Sequence, residues 1–241
     1  MNTDTFSPAE ELQRKSRTRK LVTYLIVFAI VMFFAGLTSA YVVSMSSGYW
    51  VDITLPEAFY VSTGAILLSS VFVQMALMAV RSGHAGRIAP LLLATLLLGG
   101  VFTWSQFKGW GQLVSKGQFT VGRMVQATGE YGKDYTILFQ GEPLVLENGS
   151  FYRASDELRS KPLNADIDEQ KNTASSYLYV LTAAHLAHLA FGLLSLLIMV
   201  FMALRSRYTK EDHAGLWAGT VYWHFLGGLW VYLLLFLLFV H

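Results

Sequence analysis

The sequence predicts an all-α polytopic membrane protein: a five-transmembrane-helix bundle with a small extramembrane β-containing insertion. Three observations predict it. Hydrophobic residues make up 54% of the 241 residues and charged ones only 14%, against about 25% charged in soluble domains. Five apolar runs are each long enough to cross a hydrocarbon core about 30 Å thick. No lysine, arginine, aspartate or glutamate lies deep in any of those runs. A membrane barrel is excluded, because its strands alternate in polarity over about ten residues and these runs do not.

The elements follow in order. Residues 1–20 form a cytoplasmic N-terminal segment, polar at Thr3, Asp4 and Ser7 and basic at Arg14, Lys15, Arg17, Arg19 and Lys20. Ser7-Pro8 followed by Glu10, Glu11 and Arg14 reads as the start of a short interfacial helix, with proline at a first helical position and acids in the first turn. The first span lacks a small-residue cleavage site in a suitable flank, so it reads as a retained helix and not a signal peptide. Residues 21–110 hold transmembrane helices over 21–43, 57–80 and 88–110, and residues 174–241 hold two more over 174–204 and 215–240. Arg81 and Arg87 separate the second and third spans, and Arg205, Arg207 and Lys210 the last two, whereas the loop at 44–56 carries Asp52 and no lysine or arginine. By the positive-inside rule the N-terminus and the two basic loops face the cytoplasm. His241 and the 111–173 segment then face the opposite, periplasmic side of a bacterial inner membrane.

Residues 111–173 are too long for an ordinary connection. Within them 135–139 reads as a strand, Gln140-Gly141-Glu142-Pro143 as a turn and 144–146 as a second strand, with Asn148-Gly149 turning into 150–153. A β element of two or three strands is marginal alone, so it is expected to pack against neighbouring subunits or the membrane face. Asn148-Gly149-Ser150 matches a glycosylation sequon, a match too short to carry weight. Asp166, Asp168 and Glu169 read as a solvated acidic linker or a cation site.

The chain has no cysteine, which removes thiol nucleophiles, disulfides, thiolate metal sites and c-type haem attachment. A net charge of +2 without a long basic block leaves no nucleic-acid footprint.

The informative residues are polar ones at membrane depth, since lipid offers them no hydrogen bonds. Thr182, His185 and His188 share the fourth span with Gly192, and the fifth contains Tyr222-Trp223-His224-Phe225, Gly227-Gly228 and Trp230. The third span contributes Thr103 and Gln106, and the second Ser62, Thr63, Ser69, Ser70 and Gln74, of which Thr63, Ser70 and Gln74 share a helical face. These residues are expected to form an interhelical polar network and to pack subunits and lipid. Imidazoles also ligate haem iron or copper, so His185 or His188 opposite His224 is a second reading. The aromatic cluster reads as packing and interface anchoring, or as a lining for a quinone or lipid tail. His84 and His213, beside the basic loops, read as solvated.

The segment 181–192, with its His185-x-x-His188 pair, resembles the "TG-x-H-G-x-H-x-x-x-G" helix of the haem–copper oxidase subunit III family, the cytochrome c oxidase subunit III-like proteins. The segment 222–230 is similar to that family's "YWHFVDVVW", and 102–106 to its "F-T-x-x-Q". Phe33-Phe34-Ala35-Gly36, and Ser62-Thr63 with Ser69-Ser70, fit the helices before it. All five spans take part, in order.

The resemblance implies a short five-helix form of an accessory subunit. Such a subunit has no catalytic residue, metal or redox cofactor of its own, while haem and copper belong to its partner subunits I and II. Phospholipids bind it, and it stabilises subunit I and supports its proton uptake in aerobic respiration. The sequence departs from the family pattern in four places. Two leading helices of larger members have no counterpart. Family carboxylates correspond here to Ile30, and to Gly227 and Gly109. The 111–173 insertion replaces a short connection, on the side where a cytochrome domain or another respiratory complex docks. The leading function is therefore a non-catalytic subunit of a proton-translocating cytochrome c oxidase. Alternatives are the equivalent subunit of a quinol oxidase, the related accessory protein of nitric oxide reductase, and a haem b membrane anchor that oxidises quinol. A transporter is disfavoured, because no inverted repeat or deep charge supplies coupling.

Overall fold

A computed structural model describes residues 8–46 and 48–240, so the readings made for residues 1–7 and for His241 lie outside the described residues. Among the described residues six α-helices and five strands run in the order α1 (Pro8–Met45), β1 (Tyr49–Ile53), α2 (Glu57–Arg81), α3 (Ile88–Ser115), β2 (Tyr135–Phe139), β3 (Glu142–Pro143), β4 (Val145–Glu147), β5 (Ser150–Tyr152), α4 (Asn164–Glu169), α5 (Thr173–Leu204) and α6 (Ala214–Phe239). Five of the helices are long and apolar enough to cross a membrane: α1, α2, α3, α5 and α6. The chain is a multi-pass helical membrane protein with a small strand-bearing insertion.

Two helices are longer than the hydropathy suggested. Among the described residues α1 runs unbroken from Pro8 into the span, with Glu10 and Glu11 in its first turn, and no separate interfacial helix precedes the span there. No glycine or proline interrupts the chain between Pro8 and Gly36 to stop it. α3 continues to Ser115 and ends in a Schellman cap. There Gln118 N–H donates to Leu113 O at 3.0 Å and Gly117 N–H to Val114 O at 3.0 Å. Gly117 adopts φ +72°, and a side chain there would collide with the Gln126 carbonyl, so the left-handed cap requires glycine.

The contacts divide the chain into two compact units, one of Met1–Phe33, Thr63–Thr103 and His185–Trp230, the other of Phe34–Ser62, Trp104–Ala184 and Val231–His241. The second unit contains the β-structure. β1 pairs antiparallel with β2 from Tyr49↔Phe139 to Ile53↔Tyr135, giving a three-stranded sheet in the order β1-β2-β3. This strand was not read from the sequence, although Tyr-Trp-Val-Asp-Ile is an aromatic and β-branched run. It buries Trp50, Val51 and Ile53. The insertion is thus anchored by the loop at 44–56 of its own chain, which supplies the strand a hairpin alone would lack.

The predicted four-residue turn is shorter. Gln140 and Gly141 both take positive φ, at 53° and 84°, as a two-residue type I′ hairpin demands, and Glu142-Pro143 pair with β2. Asn148-Gly149 repeats the device, at φ 49° and 78°, between β4 and β5. Asp166, Asp168 and Glu169 lie exposed on α4, pinned by buried Ile167. No group of three or more His, Asp or Glu poised for a metal ion occurs among the described residues.

Side chains hold the insertion to the helix ends. Asn172 Nδ2 donates to Gln118 Oε1 at 2.6 Å, both buried, and Tyr179 O–H donates to the Gln118 carbonyl at 2.9 Å. Ser175 and Ser176 hydroxyls donate to the carbonyls of Phe119 and Thr120 at 2.8 and 2.7 Å. Lys116 Nζ reaches Asp134 Oδ1 at 2.8 Å, and that bond holds the Asp134 carboxyl below its ordinary value. Asp52 in β1 behaves oppositely: burial lifts its carboxyl above the usual value of 3.8.

The sign follows by linkage. A raised acid binds its proton more tightly folded than unfolded, so Asp52 favours folding below its unfolded value, and that contribution disappears as pH rises through the folded one. Asp52→Asn is therefore expected to raise the melting temperature of the detergent-solubilised chain at pH 8, with the gain shrinking towards pH 4. An equal gain at both pH values, read by tryptophan fluorescence on heating, would contradict this origin.

Candidate functional site

In the first unit the polar residues of α2 are acceptors for α6. Trp230 Nε1 donates to Thr63 Oγ1 at 2.9 Å, Trp223 Nε1 to Ser69 Oγ at 2.9 Å, and His224 Nε2 lies 3.2 Å from Gln74 Oε1. Trp223 and Trp230 are fully buried, and His224 is half-buried. The expected α2 face of Thr63, Ser70 and Gln74 changes by one residue. Ser70 Oγ bonds only its own helix, at Ile66 O, and Ser69 takes the bond from α6. Ser70 instead faces Gly227, where an added Cβ would stand 3.3 Å from its Oγ.

Trp223 is seated by two glycines. A Cβ at Gly99 on α3 would lie 2.8 Å from the Trp223 ring, and one at Gly192 on α5 would lie 3.3 Å from it and 2.8 Å from Leu226. One indole therefore packs on α3 and α5 while bonding α2. In lipid, which solvates apolar side chains as well as a protein does, such close approach by small residues is the main source of helix association. Gly192 was singled out in the sequence; Gly99 was not, although the Gly99-Gly100 pair inside an apolar helix is a signal of close backbone approach.

The histidines occupy three different environments. His185 is fully buried between Phe102, at 5.7 Å between ring centroids, and Trp230, at 5.3 Å, and neither ring nitrogen has a hydrogen-bond partner among the described residues. His188 is half-buried near Phe33 and lends its carbonyl to the Tyr222 hydroxyl at 3.1 Å. His224 is bonded to Gln74. Phe102 and Trp230 flank the His185 ring, and His188 and His224 each have other neighbours. His188 and Tyr222 line a cavity of about 530 Å³ with Thr23, Ile26, Ile30 and Phe191.

The second unit holds the remaining predicted residues. Gln106 Nε2 donates to Ser62 Oγ at 2.9 Å, with its Oε1 unpartnered among the described residues. Ser105 O–H donates to Ala58 O at 2.7 Å. Thr182 accepts from Trp110 Nε1 at 3.1 Å and donates to Leu178 O; Trp110 was missed, being one of many aromatics at span ends. In the first unit, Thr103 bonds only the Gly99 carbonyl of its own helix. The positions matched to family carboxylates are spatially committed too. Ile30 is buried against the cavity, and any side chain at Gly109 would collide with the Phe59 ring. His213 is half-buried, not solvated as expected.

Residues 165–241 match the family model of cytochrome c oxidase subunit III. The chain is similar to the cytochrome c oxidase subunit 3 of Synechocystis sp., at 36% identity over 63 residues, which cover 26% of this chain and 27% of that protein. The match thus spans about a quarter of the length of its curated relative.

Two substitutions separate packing from polarity. Gly99→Leu is expected to destabilise the bundle by about 1–3 kcal/mol, the cost of overpacking against the Trp223 indole; a denaturation midpoint unchanged from wild type would contradict the seat. His185→Phe is expected to leave stability equal or higher, since an unpartnered buried polar ring costs about 1–3 kcal/mol. A loss of stability in that variant would show that the imidazole has a partner.

Proposed function

We propose that the chain, whose residues 165–241 match the family model of cytochrome c oxidase subunit III, is the accessory subunit of a respiratory cytochrome c oxidase. It carries no redox centre of its own and stabilises catalytic subunit I, while haem and copper reside in subunits I and II. The family match is the observation that carries this reading. The use of the polar groups supports it: the donors on Trp223 and Trp230 are spent on α2, and His224 on Gln74. That is the chemistry of a scaffold.

The cavity of about 530 Å³ beside His188 and Tyr222 is apolar along α1, α5 and α6 and suits a phospholipid acyl chain. Arg19 lies at its water-side end, 3.6 Å from where a Cβ on Gly215 would stand, placed to meet a phosphate. Ile30, buried on its wall, offers no proton site, so the subunit acts through packing and lipid and not through proton exchange. The basic flanks put the N-terminus in the cytoplasm of a bacterial inner membrane, which leaves the β-bearing insertion on the periplasmic side. There it is the surface for a cytochrome domain or a neighbouring respiratory complex.

The test is turnover lifetime. Oxidase purified with and without this chain is expected to start at similar rates of oxygen consumption, with the depleted enzyme inactivating after several-fold fewer turnovers. His224→Ala, which frees Gln74, is expected to give an intermediate lifetime. Equal lifetimes in all three preparations would contradict the stabilising role.

A further inference from the structure

The strand-bearing insertion carries a small recess, of about 130 Å³, beside the turn between β2 and β3. One wall is that turn, with Phe139, Gln140 and Glu142, and the other is the chain just after β5, with Arg153 and Ser155. Both walls are held by bonds of their own. Gln140 N–H donates to Gly48 O and Leu144 N–H to Ile137 O, each at 2.9 Å, which ties the turn to the start of β1 and to β2. The Arg153 carbonyl accepts from Asp156 N–H at 3.1 Å and from Arg159 Nη1 at 3.4 Å.

Arg153 is the unusual group. Its guanidinium carbon lies 4.3 Å over the Phe139 ring, and that ring packs at 4.6 Å on Tyr49, its cross-strand partner in the sheet. Among the described residues the guanidinium nonetheless has no ion pair or hydrogen bond, although Glu142 lines the same recess. Neighbouring cations of the insertion behave differently. Arg159 bonds Glu147 Oε2 at 2.8 Å and the Asp156 carbonyl at 2.7 Å, while Lys116 and Lys133 pair with Asp134 and Glu130. An arginine stacked on an aromatic face keeps its in-plane N–H groups open to a planar acceptor. Its fork is already oriented, so little freedom is lost on binding, and the fork matches a carboxylate through two parallel hydrogen bonds.

We propose that this recess is the docking point for a partner polypeptide and receives one of its aspartate or glutamate side chains. Arg153 holds the carboxylate through its fork, and the Ser155 hydroxyl donates to one of the same oxygens. The walls select this chemistry. A phosphate would bring a second negative charge towards Glu142 with a single arginine to hold it, whereas a carboxylate brings one charge and the right plane. Magnitude selects the source. An exposed ion pair shifts an equilibrium by at most about fivefold, too little to retain a free carboxylate in water. Inside a protein interface the same pair is shielded from water by its surroundings, and the rest of the contact keeps the carboxylate at high effective concentration. Arginine is one of the three residue types enriched at such anchor points. The inference rests on the reading that this chain works within an assembly, and it names the contact that the insertion makes there.

Photocrosslinking in the assembly that co-purifies with the full chain from gently solubilised membranes tests the site. Ala154, on the rim of the recess, is replaced by p-benzoylphenylalanine, and the crosslinked peptides are identified by mass spectrometry. The expected crosslink joins one co-purifying subunit within a few residues of an aspartate or glutamate. Arg153→Gln is expected to lower its yield roughly tenfold, the loss of a charged contact. Arg153→Lys is expected to lower it less, because the ammonium keeps the charge without the fork. Changing the partner's acid to its amide is expected to cost as much as Arg153→Gln, and both changes together no more than either alone. Lys161→Gln, outside the recess, is expected to change nothing, and circular dichroism confirms the fold of each variant. A wild-type yield in Arg153→Gln, a crosslink to lipid or to a segment without an acid, additive losses in the double variant, or loss of the wild-type crosslink in millimolar acetate would overturn the proposal. A haem-bearing partner that co-purifies but gives no crosslink would overturn this inference alone, whereas the absence of any co-purifying subunit would overturn the oxidase reading with it.

Discussion

The seat of Trp223 is the contact on which the first unit depends. A bilayer offers no hydrophobic force to bring one apolar helix to another, so association must come from shape and from a few hydrogen bonds. Trp223 supplies both. Its ring rests against Gly99 of α3 and Gly192 of α5, and its one polar atom goes to Ser69 of α2. The bonds of Trp230 to Thr63 and of His224 to Gln74 set the register of α6 on α2 along the same strip. Such bonds are worth on average only about 0.6 kcal/mol each within membranes, which makes the glycine contacts the larger part and the hydrogen bonds the part that fixes one geometry.

The second unit solves a different problem. A short hairpin in water is barely stable, yet the insertion is ordered, because its strand β2 pairs along its length with β1 of the loop at 44–56. The buried Asn172–Gln118 bond and the serine bonds to Phe119 and Thr120 fasten its remaining strands of chain to the start of α5. The result is a folded element where the composition alone suggested a long connection.

Much of this was legible in the sequence. The five helices follow from apolar length, and the turn between β4 and β5 from Asn148, which tolerates positive φ, beside Gly149, whereas the turn at Gln140-Gly141 is shorter than its sequence suggested. The polar residues of α2 and α6 stood out because lipid should have excluded them. What stayed hidden depended on partners distant in sequence. β1 reads as an aromatic loop until Tyr135–Phe139 lies beside it. Ser69 and Ser70 are adjacent, and only the rotation of α6 decides that Trp223 meets the first. Gly109 looks like a lost carboxylate until Phe59 is seen filling the space. The end of α3, too, was set by the Gly117 cap and not by hydropathy, which fades before the hydrogen bonding stops.

The family match lies at residues 165–241, and in the first unit the polar side chains of α2 and α6 are bonded to one another. In the proposed function the chain is a scaffold and its partners hold the redox chemistry. Co-purification from gently solubilised membranes, with an optical spectrum of the assembly and of the separated chain, tests that most directly. The account predicts that the chain brings down a larger haem- and copper-bearing partner, and that after dissociation the absorbance stays with the partner while this chain is colourless. A Soret band that remains with the isolated chain, or a chain that purifies without any haem protein, would contradict it.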